Sequence, residues 1–175
     1  LSTLQTQLPT SLTLTGPTTP VTTVQRSIFT AVVGVPSGST APLTGTVTFF
    51  IDGAAQLPAQ PVNANGVAGI SLPPMTAGNH IIAAAYSGNF VYLGSNTAVP
   101  QFVNKAGTAT LLPTNPSFRA TAGQPVFLNV NVSVANASPG IPQFTGSVVY
   151  FDGADVIGVV PIQAGGTATL RKAFS

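Results

Sequence analysis

Cysteine, tryptophan and glutamate are missing altogether from the 175 residues, and histidine and methionine occur once each. Without thiols there is no disulfide framework and no thiolate nucleophile, which suits a cytosolic chain or a bacterial secreted one equally well. Zinc is left with one His ligand, and no glycine-rich loop leads into a helix to cradle phosphate, so neither a metal nor a cofactor is expected. Charge is almost as scarce. Charged side chains make up 5% of the chain, against about 25% in an ordinary soluble domain. The acids are Asp52, Asp152 and Asp155; the bases are Arg26, Lys105, Arg119, Arg171 and Lys172. The net charge of +2 and the pI near 9.4 therefore reflect missing acids and not a basic patch. Nucleic acid is not an expected partner, because neutralising several phosphates takes clustered Lys and Arg. Apolar runs such as Ile81 to Tyr86 are of strand length, so no membrane span is expected in this segment. No basic region followed by an apolar core opens the chain, so any signal peptide has been removed or lies outside the segment.

What is present favours strands and turns. Gly (18), Pro (16) and abundant Thr, Val and Ala replace the Glu, Lys and Arg that the wet faces of helices require. The chain also repeats itself. Thr44 to Gly53 (TGTVTFFIDG) returns as Thr145 to Gly153 (TGSVVYFDG), with the Asp-Gly pairs 100 residues apart. Gly66 to Leu72 matches Gly166 to Lys172, and Thr10 to Leu14 matches Thr108 to Leu112, in the same order. Within each repeat the period is two. Val126, Leu128, Val130, Val132 and Val134 alternate with Phe127, Asn129, Asn131 and Ser133, the pattern of a strand with one buried face. In the first repeat, strands are expected near 10–15, 23–35, 44–51, 54–62, 66–72, 79–87 and 96–104. Asp52-Gly53 and Asn65-Gly66 read as hairpin dipeptides that tolerate the positive φ of a type I′ turn. Seven short strands in about 100 residues predict an immunoglobulin-like sandwich. The fold class is thus all-β: two tandem immunoglobulin-like β-sandwich modules, the second incomplete at its C-terminal strands.

The succession Gly45-Thr46-Val47-Thr48-Phe49, Asp52-Gly53, Gly66-Val67-Ala68 and then Ala77 to Phe90 (AGNHIIAAAYSGNF) resembles the bacterial Ig-like tandem-repeat family. The likeness covers the first module and the front two-thirds of the second. It implies a surface or secreted bacterial protein in which such domains are repeated structural or adhesive units. Asn89 stands where that family usually has Asp, which argues against a cation there.

Residues 8–104 form the first module and 105–175 the second, whose sequence stops short of counterparts to the strands at 79–87 and 96–104. Residues 1–7 read as the tail of a preceding module's last strand. One explanation is a segment of a longer array; the other is a fibre subunit whose open sandwich takes a strand from a neighbour. The short junction from Val103 to Gly107 has no carboxylate for calcium and predicts a semi-rigid connection.

Catalysis lacks its parts. Asp52 and Asp152 fall in equivalent turns of different modules, and Asp155 shares a loop with Asp152. His80 has the parity of Ile82, Ala84 and Tyr86 and reads as a rim residue of an inward face, while Tyr86 is expected to tie a loop through its hydroxyl. Asp52, Gly53, Asn65, Gly66, His80, Tyr86, Asp152 and Gly153 are therefore assigned structural roles. The candidate ligand loop is 88–95, where Phe90 and Tyr92 form the aromatic pair expected to be exposed. The expected function is a non-enzymatic extracellular spacer, stalk or fibre component. Its expected partners are other Ig-like modules of the same chain or of neighbouring copies. The alternative is an adhesin whose loops grip a glycan or a surface protein.

Overall fold

The computed structural model describes residues 6–113, 121–140 and 144–174. They divide into two compact units, Leu1–Lys105 and Ala106–Ser175. Both are all-β, with no helix among the described residues.

Unit 1 is a two-layer sandwich. One sheet has the order β1 (Ser11–Thr15), β3 (Ser27–Gly34), β6 (Val67–Leu72). The other has the order β2 (Val21–Thr22), β8 (Ser95–Asn104), β7 (Gly78–Tyr86), β4 (Thr46–Ile51), β5 (Ala54–Pro61). Side chains alternate across each strand, as the period of two requires. In β3, Ser27, Phe29, Ala31 and Val33 point inward while Ile28 is 69% exposed. In β7, His80, Ile82, Ala84 and Tyr86 are the buried set. Phe29, Val47, Phe49, Leu72, Ile82 and Tyr92 fill the space between the sheets. The outer edge of the larger sheet is β5, interrupted by Pro58 and Pro61, which have no N–H to offer.

Two expectations need correction here. The strand expected at 23–35 begins only at Ser27: Val21–Thr22, just ahead of the expected range, pairs parallel with Val103–Asn104 in one sheet, and the chain turns over 23–26 before β3 enters the other. That turn is closed by the Gln25 N–H on the Thr22 carbonyl (3.0 Å) and the Thr22 N–H on Gln25 Oε1 (2.9 Å). Asn65-Gly66, read as a type I′ hairpin, instead carries the chain from β5 in one sheet to β6 in the other, and only Gly66 has a positive φ (80°). A Cβ at Gly66 would lie 2.6 Å from the Val33 carbonyl oxygen, so the left-handed backbone and the close approach both demand glycine.

Unit 2 repeats this plan with β9 (Thr108–Leu111), β10 (Pro125–Val134) and β13 (Thr167–Ala173) in one sheet, order β13-β10-β9. Its second sheet is a ribbon of β11 (Ser147–Asp152) and β12 (Asp155–Pro161). These five correspond to β1, β3, β4, β5 and β6. Gly166 repeats Gly66, with φ 80° and its carbonyl accepting the Val132 N–H at 2.7 Å. The counterparts of β7 and β8 are missing from the described residues, so β11 has no neighbour on the side where β4 meets β7. The core is correspondingly thin. Val130, Val132 and Tyr150 form its buried cluster, and the Tyr150 hydroxyl donates to the Ala168 carbonyl at 2.8 Å. A groove of about 350 Å³ opens between β9 and β11, lined by Thr108, Thr110, Val132, Phe144, Val148 and Ile162 among others.

Of the strand tail expected at 1–7, residues 1–5 lie outside the described residues. Gln7 donates through Nε2 to the Asn89 carbonyl at 2.6 Å, and Leu8 bridges Tyr92.

Candidate functional site

Three side chains and a turn converge at the root of β7. Asp52 and Gly53 form the β4–β5 turn, both with positive φ (49° and 84°), the type I′ geometry. Asp52 reaches across to β7. Its Oδ1 accepts the Ile81 N–H (2.8 Å), its own N–H donates to the Ile81 carbonyl (2.9 Å), and its Oδ2 lies 2.7 Å from His80 Nδ1. His80 is 9% exposed, and its Nε2 sits 2.9 Å from the Thr76 carbonyl, with Thr76 Oγ1 at 3.4 Å. Each ring nitrogen therefore faces an acceptor. The backbone bond from Ile81, then the His80 bond, hold the Asp52 carboxyl below its ordinary 3.8. The Asp52 bond, then the Thr76 carbonyl, raise His80 from its ordinary 6.5.

The bonds tie the turn to the root of β7 and engage both ring nitrogens. A catalytic imidazole must offer a lone pair to a nucleophile, whereas here the second nitrogen points at a carbonyl oxygen. No group of three or more His, Cys, Asp or Glu suited to a metal ion forms among the described residues. No helix there is long and apolar enough to cross a membrane.

The opposite end of β7 carries a second network. The Tyr86 hydroxyl donates to the Thr44 carbonyl in a short bond, and burial, ahead of the nearby Tyr92, raises its pKa. Asn89 does the most. Its Oδ1 accepts the N–H groups of Val91 and Tyr92 (2.8 Å each), while its Nδ2 donates to Thr44 Oγ1 (3.0 Å) and the Pro42 carbonyl (3.3 Å). An Asp at this position keeps the first pair and has no proton for the second.

Tyr92, expected beside Phe90 on an exposed loop, is wholly buried, with its hydroxyl on the Ala41 carbonyl at 3.1 Å. The Asn89 turn folds it inward, which leaves Phe90, 80% exposed, as the one exposed aromatic of that loop. Phe102, Phe127 and Phe151 are exposed on strands elsewhere. In unit 2, Asp152 is the last paired residue of β11, opposite Asp155, and the turn falls on Gly153 (φ 61°) and Ala154. The Asp-Gly pair is therefore shifted by one position relative to Asp52-Gly53. One residue fewer between Gly146 and Gly153 than between Gly45 and Gly53 produces the shift.

The two layers, the crossing of the chain between them and the hydroxyl-tied tyrosine define an immunoglobulin-like β-sandwich. A family model for the bacterial Ig-like domain (group 3) matches residues 12–104, more than half of the chain, and the chain belongs to that family. Domains of this family are common on surface or secreted proteins. Among solved structures, fibronectin(III)-like modules of Clostridium thermocellum CbhA align with 13% identity and a TM-score of 0.35, over 93% of this chain and 80% of theirs. No curated protein matches.

Proposed function

We propose that the chain is a non-enzymatic extracellular structural segment of a bacterial surface or secreted protein, acting as a spacer, stalk or fibre component. The observation that carries this reading is the repetition of one sandwich plan in two units, down to the Gly66 and Gly166 turns. The near absence of charge supports close self-association, because little electrostatic repulsion opposes it. For the fibre form, the unpaired side of β11 and the groove beside it favour completion by a strand of β7's kind from a neighbouring copy. Analytical ultracentrifugation over a wide concentration range tests it. Growth of species larger than the monomer, suppressed by an added peptide of residues 78–86, supports strand exchange. A monomer at every concentration removes the fibre form and leaves the spacer. The adhesin alternative rests on Phe90, the exposed aromatic of the 88–95 loop; a glycan array on which binding is lost in Phe90→Ala would favour it.

A further inference from the structure

The sites described above leave one arrangement whose chemistry the spacer role does not use. His80 is the single histidine of the chain, it is buried, and both of its ring nitrogens face oxygen acceptors: Asp52 Oδ2 at 2.7 Å and the Thr76 carbonyl at 2.9 Å. A neutral imidazole carries one N–H and satisfies only one of them. The doubly protonated ring satisfies both. The three residues belong to three different pieces of chain: the β4–β5 turn, the loop between β6 and β7, and β7 itself. We propose that His80, Asp52 and Thr76 form a proton-dependent clasp that pins the β4–β5 turn to the root of β7 while the imidazole is doubly protonated, and that loosens when it loses a proton.

Groups around the ring are consistent with a local device. Asp52 is the charged group acting on His80 among the described residues; the β6–β7 loop presents the uncharged Thr76, and β8 presents Gln101, the cross-strand partner of His80. When the ring becomes neutral and keeps its proton on Nδ1 for Asp52, the Nε2 lone pair is left against the Thr76 carbonyl at 2.9 Å, and the loop exchanges that bond for the longer one its Thr76 hydroxyl can donate across 3.4 Å. If the proton stays on Nε2 instead, the carboxylate faces a lone pair and the turn is held to β7 only by the two bonds between Asp52 and Ile81. Either tautomer weakens one arm. The element loosened is the tip of the β4–β5 hairpin, whose β5 is an outer edge of its sheet.

The sign follows from linkage. His80 is raised from 6.5, so its contribution is fully present below about 6.5 and is lost as pH rises through the higher folded value. Asp52 is lowered from 3.8, so its contribution is present above about 3.8 and is lost as pH falls through the lower folded value. The clasp is tightest between those limits.

The test is an NMR titration of the intact chain. With one histidine, the imidazole Cε1–H signal needs no assignment. The expected midpoint lies above 6.5, and amide protection at Asp52 and Ile81 falls across it, by roughly tenfold for each unit of elevation, while Ala84 in the middle of β7 keeps its protection. In Asp52→Asn, which retains the acceptor for Ile81, the midpoint moves downward. A wild-type midpoint at or below 6.5 overturns the proposal. So does unchanged protection at Asp52 and Ile81, or an equal loss at Ala84, which would mark global destabilisation.

Discussion

Ser27 is 1% exposed on the inward face of β3, and its hydroxyl finds no hydrogen-bond partner among the described residues. A buried unpaired hydroxyl costs about 1–3 kcal/mol of desolvation. Ser27→Ala should therefore stabilise unit 1 by about 1 kcal/mol, read as an upward shift of the denaturation midpoint with an unchanged slope. Tyr86→Phe has the opposite sign, because it strips the Thr44 carbonyl of its donor. A loss of about 1–2 kcal/mol is expected, measured as a fall in Tm. Of these residue-level features, the sequence showed the direction of Tyr86 and His80, since both follow from strand parity. It did not show what they touch. Asp52 and His80 are 28 positions apart, and no local pattern announces that a turn will fold over the start of a later strand. Tyr92 was misplaced for a related reason: an aromatic two residues from Phe90 in a loop bounded by Gly88 and Gly94 looks exposed until Asn89 gathers the two N–H groups that turn it inward.

At the scale of elements, strands with strict alternation were legible and transitions between sheets were not. β10 follows from its apolar period, and β7 from an apolar run of strand length. The break between β2 and β3 is invisible in Val-Thr-Thr-Val, which has strand propensity throughout and is divided by tertiary pairing with β8. Asn65-Gly66 carries a hairpin signal in a place where the chain changes layers, because a dipeptide specifies a backbone turn and not which sheet receives the next strand. The conformational demand at that turn remains strict. Gly66→Ala must adopt φ near 80° and push against the Val33 carbonyl. It should cost at least about 1–2 kcal/mol, and Gly166→Ala should do the same in unit 2; thermal melts of the two variants check this.

For the whole molecule, the two units have separate buried clusters of very different size among the described residues, sixteen residues in unit 1 and three in unit 2. Stability follows the apolar area removed from water, so calorimetry should resolve two transitions, the lower belonging to unit 2. Truncating Val130 to Ala should move only the lower one. The edges of the two units differ in a related way. β5 has Pro58 in its interior and ends on Pro61, while β12, Asp-Val-Ile-Gly-Val-Val-Pro, keeps its N–H groups up to Pro161 and exposes Val156 (58%) and Val159 (59%). Proline along a sheet margin is a guard against unwanted pairing. Unit 1 has such a residue inside its edge strand and unit 2 has one only at the strand's end, so misassembly should begin at β12. Val159→Lys should keep more of the chain in solution after heating, as read by turbidity, with little change in the folded state.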